Sequence, residues 1–188
     1  MSDNLRWFTK AVYGFDHVVR LAPDGGWDRG SPCEGWTARH VMGHVIAVQR
    51  YLESCVVGVE PPMHPMVDPD RHAGHDPAAT WAATRDAVLD VLDHPGALTK
   101  LVTSYRGEER TDELIGFNVV DTTVHSWDLA RALGVDDRLD PGLVARATEI
   151  IAPLADAMRG PMVFGPAADV VADADAQTRL LALCGRTA

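Results

Sequence analysis

Apolar residues recur every three or four positions through most of this chain, and that spacing excludes most folds before any other feature is weighed. Leu5, Phe8, Val12, Phe15 and Val19 line one side of a helix over residues 5–21. Val41, His44, Val45, Val48, Leu52 and Cys55 do so in a second segment that ends near residue 57. Trp81, Arg85, Val88 and Leu92 mark a third, and Leu114, Asn118, Asp121, His125 and Asp128 or Leu129 mark a fourth. A helix with one apolar stripe must bury it against another element. Four such segments in 188 residues therefore predict an all-α fold, a four-helix bundle. A fifth segment over 140–158 turns Leu143, Ala147, Ile150 and Leu154 inward and is kinked or ended at Pro153. A short extra C-terminal helix spans 177–184. Strand content is expected to be near zero, although the polar stretch 98–110, with Val102, Ser104 and Tyr105, reads as a strand or a turn.

Local signals place the helix ends. Asp3 or Asn4 is an N-cap candidate, as are Thr37 and Thr111, whose hydroxyls can accept an orphan N–H of the first turn. Asp76-Pro77 and Asp140-Pro141 pair a cap with a proline at the first helical position. Gly134 ends the fourth helix. Between the second and third helices, residues 58–76 form a long loop with four prolines and His64, His72 and His75. Loops of this length are commonly functional.

Composition narrows the function classes. Twenty-seven acidic and 17 basic residues give a net charge of −10, which disfavours nucleic acid as a partner. No stretch is apolar for the roughly 18 residues a membrane span needs. Charges within the first twenty residues break any signal-peptide pattern. Cys33, Cys55 and Cys184 are too scattered for a disulfide framework. A single domain over 1–188 and a cytoplasmic location are the expectations.

The fourth helix carries the chemistry. Asp121 and His125 are four residues apart, about 400° of rotation, so both side chains point the same way one turn apart. A carboxylate and an imidazole so placed can share one divalent metal, or form a local electrostatic pair. His44 also points inward, as a third ligand or as a hydrogen-bonded core histidine. Two His and one carboxylate suit zinc, or nickel or another first-row ion, with positions left open. His40 reads as a first-turn surface residue, and His64, His72 and His75 as solvated loop residues or, more weakly, a second site. Trp36 and Trp127 read as core. Asp128 either orients a ligand imidazole or pairs with Arg131. Cys33 is a small buried residue or a reactive thiol near a helix start.

Residues 32–45, Pro-Cys-Glu-Gly-Trp-Thr-Ala-Arg-His-Val-Met-Gly-His-Val, resemble a signature of DinB-like proteins. More narrowly, they are similar to the N-terminal domain of mycothiol-dependent maleylpyruvate isomerase and its single-domain relatives. Residues 121–134, which hold Asp121, His125, Trp127 and Asp128, resemble a second signature. The tail from Arg179 to Arg186 is similar to the ending of the single-domain subgroup. The resemblance implies a DinB-like bundle with a metal on His44, Asp121 and His125. Asp121 stands where the isomerase has Glu, one methylene longer, so the metal must sit closer to this helix or a water must bridge. The length also leaves no room for the further C-terminal domain that the isomerase proper carries.

The resemblance further implies a low-molecular-weight, mycothiol-like thiol as cosubstrate and a small electrophile as substrate. The function expected is thus a metal- and thiol-dependent transferase or isomerase. The alternative is a non-catalytic metal-binding bundle, as a structural or binding module. A homodimer suits such a bundle, though no motif dictates one.

Overall fold

The computed structural model describes residues 2–60, 65, 67–160 and 164–187. His64 therefore lies outside the described residues. The helices are α1 (Asp3–Arg20), α2 (Ala38–Val57), α3 (Pro69–His72), α4 (Pro77–Asp93), α5 (Thr111–Leu133), α6 (Pro141–Ile151) and α7 (Ala176–Leu183). Strands β1 (Leu101–Ser104) and β2 (Gly107–Arg110) pair antiparallel between α4 and α5.

The four long helices α1, α2, α4 and α5 form the bundle, with α5 packed against both α1 and α2 and with α4 against α2 and α1. The core holds the apolar stripes: Phe8, Val12 and Phe15 from α1, Val41, Val45 and Leu52 from α2, Trp81 and Val88 from α4, and Leu114 and Leu129 from α5. The edge of Trp81 meets the Phe15 ring, with centroids 4.7 Å apart. A second apolar cluster sits on the other face of α5, where Val120, Val124 and Trp127 meet Val144, Ala147 and Ile151 of α6 and Leu180 and Leu181 of α7. Helix α5 is thus buried on two faces, and Asn118, Thr122, His125 and Asp128 are enclosed rather than solvated.

Several boundary expectations are corrected. Ser2, not Asp3 or Asn4, caps α1, its hydroxyl accepting the Leu5 N–H. Thr37 caps α2 as expected, but His40 is more than a surface residue: its Nδ1 accepts the Thr37 N–H at 3.3 Å and closes the cap. Thr111 is the first helical residue of α5 rather than its cap, because β2 runs directly into the helix. Glu113 accepts the Arg110 N–H instead. Asp76 and Asp140 cap α4 and α6 as the Asp-Pro pairs predict. Helix α6 stops at Ile151 because Pro153 cannot continue it. The turns that follow leave Leu154 36% exposed rather than inward.

Strand content is small, and it falls where the stretch 98–110 is expected to be a strand or a turn, as the hairpin of β1 and β2. In the hairpin, Val102 and Ser104 alternate inward against exposed Leu101 and Thr103. The hairpin is tied down on both sides, since Tyr51 Oη of α2 accepts the Tyr105 N–H at 2.8 Å and Arg106 stacks on Phe117 of α5 at 3.5 Å. Among the described residues no helix is long and apolar enough to cross a membrane.

Candidate functional site

Helices α2 and α5 bring His44, Asp121 and His125 together. His44 Nε2 lies 3.3 Å from Asp121 Oδ1, and His125 Nε2 lies 3.7 Å from the same oxygen. The two imidazoles meet edge to face with centroids 4.8 Å apart. One ligand atom from each of the three residues lies within 4.8 Å of the others. Both histidines are buried, whereas 28% of the Asp121 side chain is exposed, so the cluster borders solvent through its carboxylate.

The far nitrogens of the two rings decide where the protons sit. His44 Nδ1 is 3.4 Å from the Pro65 carbonyl oxygen and its Nε2 is 3.3 Å from Asp121 Oδ1, and both oxygens can only accept; with a cation between the residues the proton sits on Nδ1 and Nε2 is free to ligate. His125 Nδ1 is 2.9 Å from Asp128 Oδ2, in contact but without the geometry of a full hydrogen bond. An ionised carboxylate also only accepts, which assigns His125 the same tautomer. Two imidazole nitrogens and a carboxylate oxygen therefore converge on one space. Asp121 Oδ2 is buried there with no hydrogen-bond partner. Groups of this kind so close together are held by a proton on an imidazole nitrogen or by a cation among them.

The donor set fits a divalent metal. Two ligand atoms each about 2.0–2.1 Å from a tetrahedral zinc stand about 3.3–3.4 Å apart. The 3.3 and 3.7 Å spacings bracket that value closely. The shorter side chain of Asp121 still reaches both rings, because α5 lies close against α2. Burial opposes ionisation of Asp121, but the positive charge that His125 and His44 carry when protonated, and a hydrogen bond from His44, outweigh it and hold its carboxyl below the usual range; a bound cation would act in the same sense.

A layer of supporting groups surrounds these three. Trp36 sits against both imidazoles, stacked on His125 with centroids 6.3 Å apart and tilted on His44 at 5.3 Å. It is thus a wall of the site and only partly core, while Trp127 is fully buried as expected. Asp128 is wholly buried between His125 and Arg186, and Arg131 pairs with Asp137 instead. Burial alone would raise the Asp128 carboxyl; His125 and the Arg186 guanidinium outweigh it and hold the carboxyl at about 2. Cys33, His125 and Asp128 form a second trio of ligand type. There the Arg186 guanidinium already touches Asp128 at 2.9 Å and Cys33 Sγ at 3.7 Å, supplying the cation. Burial and the Asp128 charge push the Cys33 thiol up to about 12, so it is no reactive thiolate.

The loop histidines do not gather. His75 is exposed, and His72 is buried with its Nε2 unpartnered; burial pushes its imidazole below the ordinary value. Among the described residues neither joins a ligand cluster. Sequence reading missed Arg186 and the Pro65 carbonyl. The similar tail pointed to the first, and nothing pointed to the second.

A family model described as the mycothiol maleylpyruvate isomerase N-terminal domain matches residues 8–130, a span that holds His44, Asp121 and His125. The chain belongs to this family. Two curated proteins of Mycobacterium tuberculosis, the uncharacterized proteins Rv0738 (strain H37Rv) and MT0763 (strain CDC 1551), are each 31% identical over 137 residues. Those alignments cover 72% of this chain and 68% of each relative. The mycothiol-dependent maleylpyruvate isomerase itself shares the fold. A histidine-to-alanine variant of it superposes with a TM-score of 0.59 at 16% identity, over 84% of this chain and 72% of that one. A second structure of the isomerase gives 0.52 at 17% identity, over 83% and 68%. The DinB-like bundle expected from the sequence is the fold of this isomerase family.

Proposed function

We propose that this chain is a divalent-metal enzyme that uses a mycothiol-like thiol to transfer it to, or isomerise, a small electrophile. His44, Asp121 and His125 hold the metal, zinc being the ion their chemistry suits best. The observation that carries the reading is the convergence of two imidazole nitrogens and an Asp121 carboxylate on one space at 3.3 and 3.7 Å. When bound, the ion supplies the positive charge that keeps a thiol deprotonated, and so nucleophilic, at neutral pH.

The residues of the chain do the rest. With a metal bound, the Pro65 carbonyl and the Asp128 carboxylate stand beside the outer nitrogens, where the imidazole protons then lie, so that both inner nitrogens can ligate. Trp36 covers the ring faces and excludes water from that side. The exposed part of Asp121 marks the side from which a thiol and a substrate enter. Three protein ligands leave positions open for them, whereas a structural site is closed by four. This favours an enzyme over a purely structural bundle.

Elemental analysis of the purified protein, beside His44→Ala and His125→Ala, tests the ligand set. About one divalent ion per chain that is lost in both variants supports it. No ion after incubation with zinc or nickel overturns it. Consumption of an electrophile only when both thiol and metal are present then tests the activity.

A further inference from the structure

The tail that ends in Arg186 takes no direct part in the ligand set, and the family match stops at residue 130. We propose that Arg186 is a positioning residue for His125, acting through Asp128; this rests on the metal reading above. Gly185, with φ of +77°, turns the chain back at the end of α7. The Arg186 N–H then donates to the Leu181 carbonyl at 2.8 Å, so the backbone is fixed before the side chain reaches inward.

The guanidinium grips both oxygens of Asp128, Nη2 to Oδ2 at 2.9 Å and Nε to Oδ1 at 3.4 Å. Its Nη1 donates to the Cys184 carbonyl at 2.7 Å, which fixes the fork itself. Only 12% of the Arg186 side chain is exposed, and none of Asp128. A planar fork sets the plane of a carboxylate, which a single ammonium does not. The oxygen that Nη2 holds, Oδ2, is the one 2.9 Å from His125 Nδ1. If that carboxylate turned, His125 Nδ1 would lose the 2.9 Å carboxylate contact that favours a proton on that nitrogen, and with it the bias that leaves Nε2 free to ligate. Among the described residues no other Arg or Lys pairs with Asp128. The chain therefore closes a line of contacts, Arg186 to Asp128 to His125, across 61 positions of sequence.

The test compares the wild type with Arg186→Gln and Arg186→Lys, with His44→Ala as the ligand-loss control. Cobalt(II) titration, read by its visible absorption and by chelator competition, reports affinity. Long-range proton–nitrogen spectra of the metal-free protein report the His125 tautomer, and circular dichroism reports folding. The wild type is expected to bind one cobalt and to hold His125 as the Nδ1–H tautomer. Arg186→Gln is expected to bind about 10- to 100-fold more weakly and to show mixed tautomers, with Arg186→Lys between. A folded Arg186→Gln with wild-type affinity and one tautomer overturns the proposal. If Arg186→Gln does not fold, Arg186→Lys decides, since it keeps the cation and removes the fork. If the wild type takes up no cobalt, the metal reading falls, and the tautomer spectra alone decide the role of Arg186.

Discussion

Gly43 lies so close beneath Pro69 that a Cβ at position 43 would overlap the Pro69 carbonyl oxygen and stand 3.1 Å from the Ala73 nitrogen. The missing side chain is what lets α3 lie flat on α2 one residue before His44. Gly43→Ala is therefore expected to push α3 away and to destabilise the protein by about 1–3 kcal/mol, as overpacking does. Gly30→Ala, whose Cβ would meet nothing within 4 Å, is the control and should change stability by less than about 0.5 kcal/mol. Urea denaturation of both variants measures the difference. Equal stability would mean that α3 is not seated on Gly43.

The carboxylate at 121 makes a separate prediction. Asp121→Asn keeps the shape of the side chain but removes the charge that the two imidazole lone pairs need beside them in a metal site. Zinc affinity should fall by at least about tenfold, or about 1.4 kcal/mol. Asp121→Glu restores the longer carboxylate that the resemblance led one to expect, and should retain zinc. Competition with a chromophoric chelator measures both. An Asp121→Asn protein with unchanged affinity would remove this residue from the ligand set.

Much of the bundle was legible in the sequence because its signals are local. The stripes on α1, α2 and α4, and the Asp-Pro caps of α4 and α6, need only neighbouring residues to be recognised. Asp121 and His125 were legible for the same reason, since a four-residue spacing on a helix is a local fact. What was not legible depends on distant contacts. The hairpin has one polar strand, β2, and is held by Phe117 of the following helix and by Tyr51, 54 positions from its partner Tyr105. The Pro65 carbonyl on His44 comes from a loop without periodicity. Arg186 meets Asp128 from 58 residues away. The inward expectation for Leu154 failed because the apolar period continued past the point where Pro153 ends the hydrogen bonding.

Asp16 predicts a pH dependence of stability. It is buried on α1, where it accepts from Arg20 Nε at 2.7 Å and Trp81 Nε1 at 3.2 Å and pairs with Arg85. Burial alone would raise its carboxyl, but Arg20 and Arg85 outweigh it and hold the group below the usual carboxylate range. A depressed folded value means that the unfolded chain takes up the proton first. The stabilisation is therefore present above about pH 3.9, the unfolded value, and is lost as pH falls through it toward the folded one. Asp16→Asn should cost about 1–3 kcal/mol at pH 7. The gap between wild type and variant should close as the pH is lowered below 4. A gap that stays constant from pH 7 to pH 3 would show that the charge of Asp16 contributes nothing.

The thiols are expected to be slow. Burial raises all three, Cys33 to about 12 with help from Asp128 and Cys184 to about 11. At pH 8 about one Cys33 in ten thousand would be thiolate, against roughly a quarter of a free cysteine of pKa 8.5. Alkylation by iodoacetamide should label the folded protein at Cys33 far more slowly than free cysteine, and should reach three thiols per chain only in denaturant. Rapid labelling of Cys33 in the folded protein would show that Arg186 outweighs burial there.

Trp36 offers a direct optical reading of the site. Its ring is 5.3 Å from His44 and 6.3 Å from His125, centroid to centroid, and both rings hold proposed ligand atoms. A paramagnetic ion bound among them lies close to the indole and should quench its emission, while Trp7, on α1, packs instead against Gly142 of α6. Copper(II) or cobalt(II) titration should thus lower tryptophan fluorescence saturably, with an end point near one ion per chain. Trp36→Phe keeps an aromatic wall over the imidazoles, so the ion should still bind by chelator competition while most of the saturable quenching disappears. Quenching that persists in full in Trp36→Phe would place the ion elsewhere in the molecule, away from His44 and His125.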